Sequence, residues 1–421
     1  MRGQKRKTPL PENKYLTPDL WNEVLLRSPV KTLLRFRCVC KSWFSLIDSP
    51  DFISMHLKMY KNNQLLAIEY APKSLLDFAF IIRRSDTTIR KIAQLVKNSE
   101  SPMISGSVMI DGLMLIGCFT LRGSHLNTRE LSLWNPSIRK LMSIPCCPLQ
   151  PKFYDVGYYL GFAPSSKDYK VVAYELGDSD AFELSIAIAI YSIRDRLWRV
   201  KSNWNNVPRW CFDLMKARNG VVFSQGVLYC KPYFRFLECL GVEEKTHLLS
   251  FDFDSEEFGV LKLPDIGEDM RRFLFLLGGS LAIFGISNVR ASVWVMEKSP
   301  GKETWCQFSS GDSDIEAYEF FDLCSGKNLQ FLYVENTGTL LVHNLSKLMF
   351  YDITSHQVRH KKHFHCSYPD TYRESLVLHK GYGGAIFNLT HIKGTLYHRM
   401  ADSGDDSFSG VNGLGNGEAL S

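Results

Sequence analysis

The chain has 421 residues, of which 45% are hydrophobic and 22% charged, with a formal net charge of +6. This length exceeds one typical domain, and the apolar fraction is sufficient for a large core. No run reaches the ~18 apolar residues that a membrane span needs. No dense basic stripe with interleaved aromatic residues indicates a nucleic-acid surface. The composition therefore predicts a soluble multidomain protein with neither a membrane nor a nucleic-acid partner.

The chain begins with a basic stretch, MRGQKRKTPLPENK, which lacks the apolar core of a signal peptide. We expect residues 1–14 to be a disordered, solvated tail, with a weak nuclear localisation signal as the alternative. The 11 cysteines show neither metal-ligand nor disulfide-framework spacing, so most are expected to be reduced. These features predict the cytoplasm, the nucleus or both as the compartment.

Residues 16–52 show the periodicity of three short helices, LTPDLWNEVLLRSPVKTLLRFRCVCKSWFSLIDSPDF. Thr17 is placed to cap the first helix. Ser28 and Pro29 are predicted to end that helix and cap the second, and Pro50 to end the third. Three short helices carry more apolar surface than so small a unit buries alone. The surplus predicts a partner.

This stretch resembles the F-box, whose pattern runs Leu-Pro, an apolar helix, Leu-Pro-x-Lys-Ser-Leu-x-Arg and Cys-Lys-x-Trp. The matching positions are Leu16, Leu20, Glu23, Val24, Leu25, Pro29, Lys31, Leu33, Leu34, Arg35, Cys40, Lys41 and Trp43. In that family the segment lies on the Skp-type adaptor of a cullin-based ubiquitin ligase. The resemblance implies adaptor contacts from Leu16, Pro18, Leu20, Val24, Leu25, Pro29, Val30, Leu33, Leu34, Cys38, Val39, Trp43, Leu46 and Ile47.

Three positions depart from the family pattern. Thr17 replaces the first proline, with Pro18 one place late, and Ser28 replaces the leucine before the second proline. Either docking is weakened, or both residues act as caps that preserve the helices. The alternative for the whole stretch is a purely structural role, as a helical hairpin inside a core. The charged run Arg35, Arg37 and Lys41, interleaved with apolar positions, favours an interface over that alternative.

After about residue 60 the pattern changes to short apolar runs separated by turn residues. Hairpin-like blocks recur at Asn135, Ser192, Asp252, Val295 and Asp352, and their spacing fits the ~50-residue blades of a kelch-like propeller. We predict about six blades, with residues 374–379 returning to complete the first. Ring closure would hide the sheet edges.

The blocks LWNPSIRKLMSIP (133–145), LGFAPSSKDYKVVAYE (160–175), SFDFDSEEFGVLKLP (250–264) and VWVMEKSPGKETWCQFS (293–309) resemble the F-box-associated, kelch-like region of a large plant F-box family. Asn135-Pro136 and residues 168–172 are interpreted as scaffold. The predicted fold class is α+β multidomain, with a three-helix F-box at residues 15–57 followed by an all-β propeller at 60–395. Residues 400–421, rich in Gly, Ser and Asp, are predicted to be disordered.

No catalytic motif is recognisable, and no cofactor is expected. The best metal candidates are His356, His360, His363, His365 and Cys366, although a solvated basic strand is the favoured interpretation. The predicted function is a non-catalytic substrate receptor that joins a Skp-type adaptor, and through it a cullin, to an unidentified target protein. A scaffold or ligand-binding propeller outside any ligase is the first alternative, and a propeller enzyme the second. Candidate target contacts are Tyr154, Tyr158, Tyr159, Trp204, Trp210, Tyr233 and Phe234.

Overall fold

The computed structural model describes most of the chain. The described residues are 17–60, 63–69, 76–82, 89–96, 102–103, 109–122, 125–149, 157–177, 185–201, 220–230, 247–267, 269–287, 289–299, 302–312, 329–335, 337–344, 347–363, 368–378 and 386–388. The predicted tails at 1–14 and 400–421 lie outside these residues.

Four helices open the described chain: α1 (Pro18–Leu26), α2 (Val30–Phe36), α3 (Lys41–Ile47) and α4 (Pro50–Met59). The Thr17 side chain accepts a hydrogen bond from the Leu20 N–H, which confirms the predicted cap of α1. The fourth helix was not predicted. Pro50 begins it rather than ending α3, because a residue in the first turn needs no amide donor. None of these helices, nor any other in the described part, could span a membrane.

Ser28 does not cap α2, so this prediction was wrong. Its hydroxyl instead donates to the Val24 carbonyl of α1 at 2.8 Å. The residue preceding α2 is Pro29, which makes no side-chain capping bond. Ser28 therefore satisfies the end of one helix instead of the start of the next.

The described residues after α4 form six antiparallel sheets. The first contains β1 (Asn63–Glu69), β2 (Leu76–Ile82) and β3 (Ile89–Val96), and the second contains β4 (Pro102–Met103), β5 (Met114–Arg122), β6 (His125–Asn135) and β7 (Lys140–Ile144). The third is formed by β8 (Gly157–Ala163), β9 (Asp168–Gly177), β10 (Ser185–Ser192) and β11 (Leu197–Lys201).

The fourth sheet contains β12 (Val221–Ser224), β13 (Val227–Cys230), β14 (His247–Asp252) and β15 (Glu257–Lys262). The fifth contains β16 (Arg271–Leu277), β17 (Ser280–Ile286), β18 (Arg290–Ser299) and β19 (Lys302–Asp312). The sixth contains β20 (Leu329–Val334), β21 (Thr339–Asn344), β22 (Lys347–Asp352) and β23 (Gln357–His363). These six sheets confirm the predicted propeller of about six blades.

Two C-terminal strands return to earlier sheets. β24 (Tyr368–Arg373) pairs with β1 in the first sheet, and β25 (Ile386–Asn388) pairs with β7 in the second. Closure by a returning strand is thus confirmed, but its predicted position at 374–379 was wrong. Residues 374–378 form no strand. The carbonyls of Ser375 and Val377 accept hydrogen bonds from the Asn135 side chain.

The first strands of the fourth, fifth and sixth sheets and the returning strand β24 lie next to one another, through the contacts of β12 with β16, β16 with β20 and β20 with β24. They form the inner ring, so β11 and β15 lie at the outside. Buried apolar residues fill the spaces between sheets.

The helical unit shares a hydrophobic core with the sheets. Leu33 and Phe52 of the helices belong to the same buried cluster as Leu113, Leu160 and Leu376 of the β region. In addition, the Arg373 Nε of the closing strand donates to the Tyr60 carbonyl at the end of α4, at 3.2 Å. Helices and propeller are therefore packed as one body at this junction.

Candidate adaptor-docking surface

Exposed apolar side chains are concentrated on the helical unit. Among the described residues, seven of the twelve exposed large hydrophobic side chains lie on it, namely Leu20, Trp21, Val24, Val39, Phe44, Met55 and Met59. Leu20 is 51% exposed and Val24 46%. These two residues lie one turn apart on the same side of α1. We refer to Leu20, Trp21, Val24, Val39 and Phe44 as the apolar surface.

Aromatic contacts make this surface continuous between helices. The rings of Trp21 in α1 and Trp43 in α3 lie 5.3 Å apart. Trp43 also meets Phe36 of α2 edge to face at 5.2 Å. Trp43 is only half-buried, so it extends the apolar surface while holding three helices together.

A bidentate ion pair fixes the far end of the unit. The Arg37 Nε and Nη2 donate to Asp48 Oδ1 and Oδ2 at 2.6 and 2.9 Å. The Asp48 side chain is 6% exposed, and the Arg37 guanidinium lies 4.7 Å from the centre of the Phe44 ring. Arg37 was expected to serve an interface. Instead it joins α2 to α3 and supports Phe44 from within the unit.

A buried histidine ties α4 to the turn between α1 and α2. His56 Nε2 donates to the Ser28 carbonyl at 2.9 Å, and its ring stacks on Tyr60 with centroids 5.0 Å apart. Burial lowers the pKa of His56, so the ring is held neutral. The apolar surface therefore rests on a packed, internally bonded frame.

The exposed cysteine Cys40 lies between α2 and α3. Its Sγ is 3.1 Å from the Ser42 hydroxyl, and the hydrogen bonds from Ser42 and from the Trp43 N–H lower the pKa of the thiol. Among the described residues it belongs to no group of three or more His, Cys, Asp or Glu side chains that could hold a metal ion.

Comparison with protein families identifies both parts of the molecule. Residues 15–55 match the F-box domain, and residues 78–362 match the F-box associated beta propeller domain. The chain belongs to the F-box-associated β-propeller family. The four-helix unit is its F-box, and the six sheets are its propeller.

The curated relatives are plant F-box proteins. An F-box/kelch-repeat protein of Arabidopsis thaliana is 25% identical over 302 residues, covering 69% of this chain and 78% of the relative. The F-box protein CPR1 of the same plant is 23% identical over 402 residues, covering 89% and 90%. Among solved structures, apo AztD from Citrobacter koseri covers 74% of this chain and 99% of its own at 8% identity, but with a TM-score of only 0.30.

The structure divides the expected adaptor contacts into three groups. Exposed positions are Leu20, Val24, Pro29, Cys38 and Val39. Half-buried positions are Leu34, Trp43 and Leu46. Leu25, Val30, Leu33 and Ile47 are at most 1% exposed. These last four belong to the F-box core, because helix packing and the shared cluster with the propeller already enclose them. Pro18 begins α1, and Leu16 lies outside the described residues.

Sequence reasoning missed two members of the apolar surface, Trp21 and Phe44. Each directly follows a residue that matches the F-box pattern, Leu20 and Trp43 respectively. The available signal was an apolar arc wider than the single stripe that a helix buries against its core.

The expected target contacts are not supported where the structure describes them. Tyr158 and Tyr159 are each only 7% exposed and pack in the clusters around the third sheet. They belong to the core, because β8 lies at the inner edge of its sheet. Tyr154, Trp204, Trp210, Tyr233 and Phe234 lie outside the described residues.

The metal candidate in the histidine-rich segment, which was not the favoured interpretation, finds no support in the part that is described. No group of three or more His, Cys, Asp or Glu side chains there could hold an ion. His356 Nδ1 is bonded to the Tyr351 hydroxyl at 3.0 Å, and its ring packs against Gly311. His360 and His363 lie on β23, while His365 and Cys366 lie outside the described residues.

Proposed function

We propose that this protein is the substrate receptor of a Skp-cullin-F-box ubiquitin ligase. The F-box binds a Skp-type adaptor and, through it, a cullin, while the propeller holds a target protein. The chain itself performs no bond chemistry and acts by raising the effective concentration of target lysines near the ubiquitin-charged enzyme. Its place of action is the cytoplasm, the nucleus or both.

The observation that carries the proposal is the apolar surface of the F-box. Each of its five members is more than a third exposed, although apolar side chains of this size are normally buried. Covering them with a partner is favourable by roughly 25 cal/mol per Å² of apolar area removed from water. A helical unit with this much uncovered apolar area is typical of an interface.

The departures from the F-box pattern support docking rather than oppose it. Thr17 caps α1, and Ser28 bonds to the last turn of the same helix. Both substitutions therefore preserve the helix that carries Leu20 and Val24. They provide no argument for a module that acts outside a ligase.

The test is co-purification with a Skp-type adaptor using exposed-residue variants. We expect L20D/V24D to lower adaptor affinity more than tenfold with an unchanged melting temperature. The matched control is L197D/V200D, which alters a leucine and a valine of similar exposure on β11 and should retain the adaptor. Leu33 is unsuitable for this test because its substitution would unfold the core.

Full adaptor binding by a folded L20D/V24D variant would refute the proposal. Equal loss of adaptor binding in both double variants would also count against the proposal, because two distant surfaces cannot both be the specific docking site.

A further inference from the structure

One outer edge of this propeller carries an added strand. At the second sheet, β25 pairs antiparallel with the outermost strand β7, with Phe387 opposite Leu141. At the third sheet the outermost strand is β11. It pairs with β10 on one side, and among the described residues no strand lies on its other side.

β11 exposes two large apolar side chains. Leu197 is 61% exposed and Val200 is 54% exposed. Alternation along the strand directs them to opposite faces of the sheet. Trp198, which shares a face with Val200, donates its indole N–H to the Pro145 carbonyl at 2.9 Å. An edge strand with exposed apolar residues favours pairing with another chain.

The same strand carries positive charge. Arg199 and Lys201 both contact Glu256, the latter at 3.3 Å from Oε2. The buried Lys170 already donates to Glu256 Oε1 at 3.0 Å. Three cations thus surround one carboxylate, and the side chains of Arg199 and Lys201 remain 51% and 36% exposed.

The turn before β11 adds to this imbalance. Arg194 and Arg196 are both exposed. Asp195, the only acidic residue of the turn, is paired with Arg194 at 3.3 Å. The edge and its turn together therefore present a net positive charge to a chain that approaches them.

We propose that β11 binds an extended acidic segment of a target protein as an added strand. Backbone pairing would supply affinity. The acidic side chains of the added strand would lie on the face of Arg199 and Lys201, and its alternate apolar side chains on the face of Val200. The same cations disfavour pairing with β11 of a second copy, because like charges would be brought together. The identity of the occupant as a target rests on the proposed function.

The probe is a fluorescein-labelled ten-residue peptide of alternating valine and glutamate, and binding to the full-length protein is followed by anisotropy. We expect it to bind at least tenfold more tightly than the corresponding valine–lysine peptide. N-methylation of its backbone should remove binding, because the donors of the ladder are lost. L197D/V200D should weaken binding at least tenfold, whereas L20D/V24D should leave it unchanged.

Charge reversal provides a test in which a signal is gained. R199E/K201E is expected to bind the valine–lysine peptide in preference to the valine–glutamate peptide. If this variant does not fold, R196E alone, in the exposed turn, should weaken binding of the acidic peptide about threefold. Equal binding of both peptides, or full binding after N-methylation, would overturn the proposal.

Two other occupants are distinguished by the same assay. Residues 402–421 include Asp402, Asp405 and Asp406. A tenfold gain in peptide affinity on their deletion would show that the chain covers its own edge, and would overturn the proposal. A dimer that L197D/V200D dissociates would overturn it as well. Failure here with intact adaptor binding leaves the proposed function in place, because L197D/V200D and L20D/V24D separate the two surfaces.

Discussion

The side-chain amide of Asn135 donates to both the carbonyl and the hydroxyl oxygen of Ser375, at 3.2 and 3.0 Å, across 240 positions of the chain. It also donates to the Val377 carbonyl at 2.8 Å. Asn135 is fully buried. It thus fastens the segment that follows the closing strand to the turn between β6 and β7.

Replacing Asn135 with alanine should open this fastening. Buried carbonyl groups would lose their donor, at a cost of about 1–3 kcal/mol each. We expect N135A to lower the free energy of unfolding by about 2–4 kcal/mol in urea titrations. The control Q307A removes an exposed amide from β19 and should change it by less than about 0.5 kcal/mol. Similar values for the two variants would show that the fastening has no energetic role.

Substitution of Glu256 should lower the free energy of unfolding far more than substitution of the neighbouring Glu257. Burial acts to raise the pKa of Glu256, but Lys170, Arg199 and Lys201 outweigh this effect and hold the pKa below its usual value. E256Q would leave the buried Lys170 without a negative partner, with only neutral acceptors such as the Phe253 carbonyl at 2.7 Å.

We expect E256Q to cost about 3–5 kcal/mol, as for a broken buried pair. E257Q alters an exposed position and should cost less than about 0.5 kcal/mol. The double variant K170M/E256Q should be less destabilised than the sum of its single variants, which urea titration of all three would measure.

The bidentate pair of Arg37 and Asp48 should depend on guanidinium geometry. R37K keeps the charge but loses the paired donors, so we expect a loss of about 1–2 kcal/mol in unfolding free energy. R27K alters the exposed pair of Arg27 with Glu23 and should cost less than about 0.5 kcal/mol. Thermal unfolding of the two variants side by side provides the measurement. Equal effects would show that the Arg37–Asp48 pair does not depend on guanidinium geometry.

Acid should destabilise the protein through its buried histidines. Burial lowers the pKa of His343 to about 4 and also lowers that of His56. Unfolded imidazoles titrate near 6.5. Between pH 6.5 and 4 the unfolded chain therefore binds protons that the folded chain does not, and the histidine contribution to stability falls as pH falls.

We expect H343Q to remove up to about 1.4 kcal/mol per pH unit of this slope. Asp370 acts in the opposite direction, because burial raises its pKa to about 7 and its folded carboxyl binds a proton that the unfolded one lacks. D370N should therefore steepen the loss of stability on acidification. Urea titrations at several pH values would detect both changes, and an unchanged slope in H343Q would refute the assignment.

Local rules predicted local structure, although they did not always give the right direction. Thr17 caps α1 as expected, whereas Pro50 begins α4 rather than ending α3. Proline is compatible with both roles, so only packing decides between them. Ser28 could bond either to the end of α1 or to the start of α2, and its hydroxyl donates a hydrogen bond to the Val24 carbonyl of α1.

Long-range structure was predicted only where the chain repeats. The recurring blocks indicated the number of sheets, but the closing strand was misplaced. Tyr368–Arg373 contains Pro369 and Asp370, which are uncommon in strands, whereas 374–379 contains the continuous apolar run Leu376 to Leu378. The contact between Lys170 and Glu256 spans 86 positions and has no sequence signal.

The division of the F-box into buried core and exposed apolar surface could likewise not be predicted from the sequence. Leu33 and Leu20 are both leucines on amphipathic helices, yet one is fully buried and the other half exposed. An exposed leucine and a buried leucine have the same chemistry. Only the positions of the neighbouring helices and sheets separate them.

The pairing of β24 with β1 makes the two termini of the propeller interdependent during synthesis. A ribosome must pass Tyr368 before the sheet that begins at Asn63 gains its inner strand. A premature stop codon ahead of that point would thus damage the oldest part of the β region rather than merely shorten the newest. Such products should be recognised as misfolded and degraded instead of accumulating as shortened competitors.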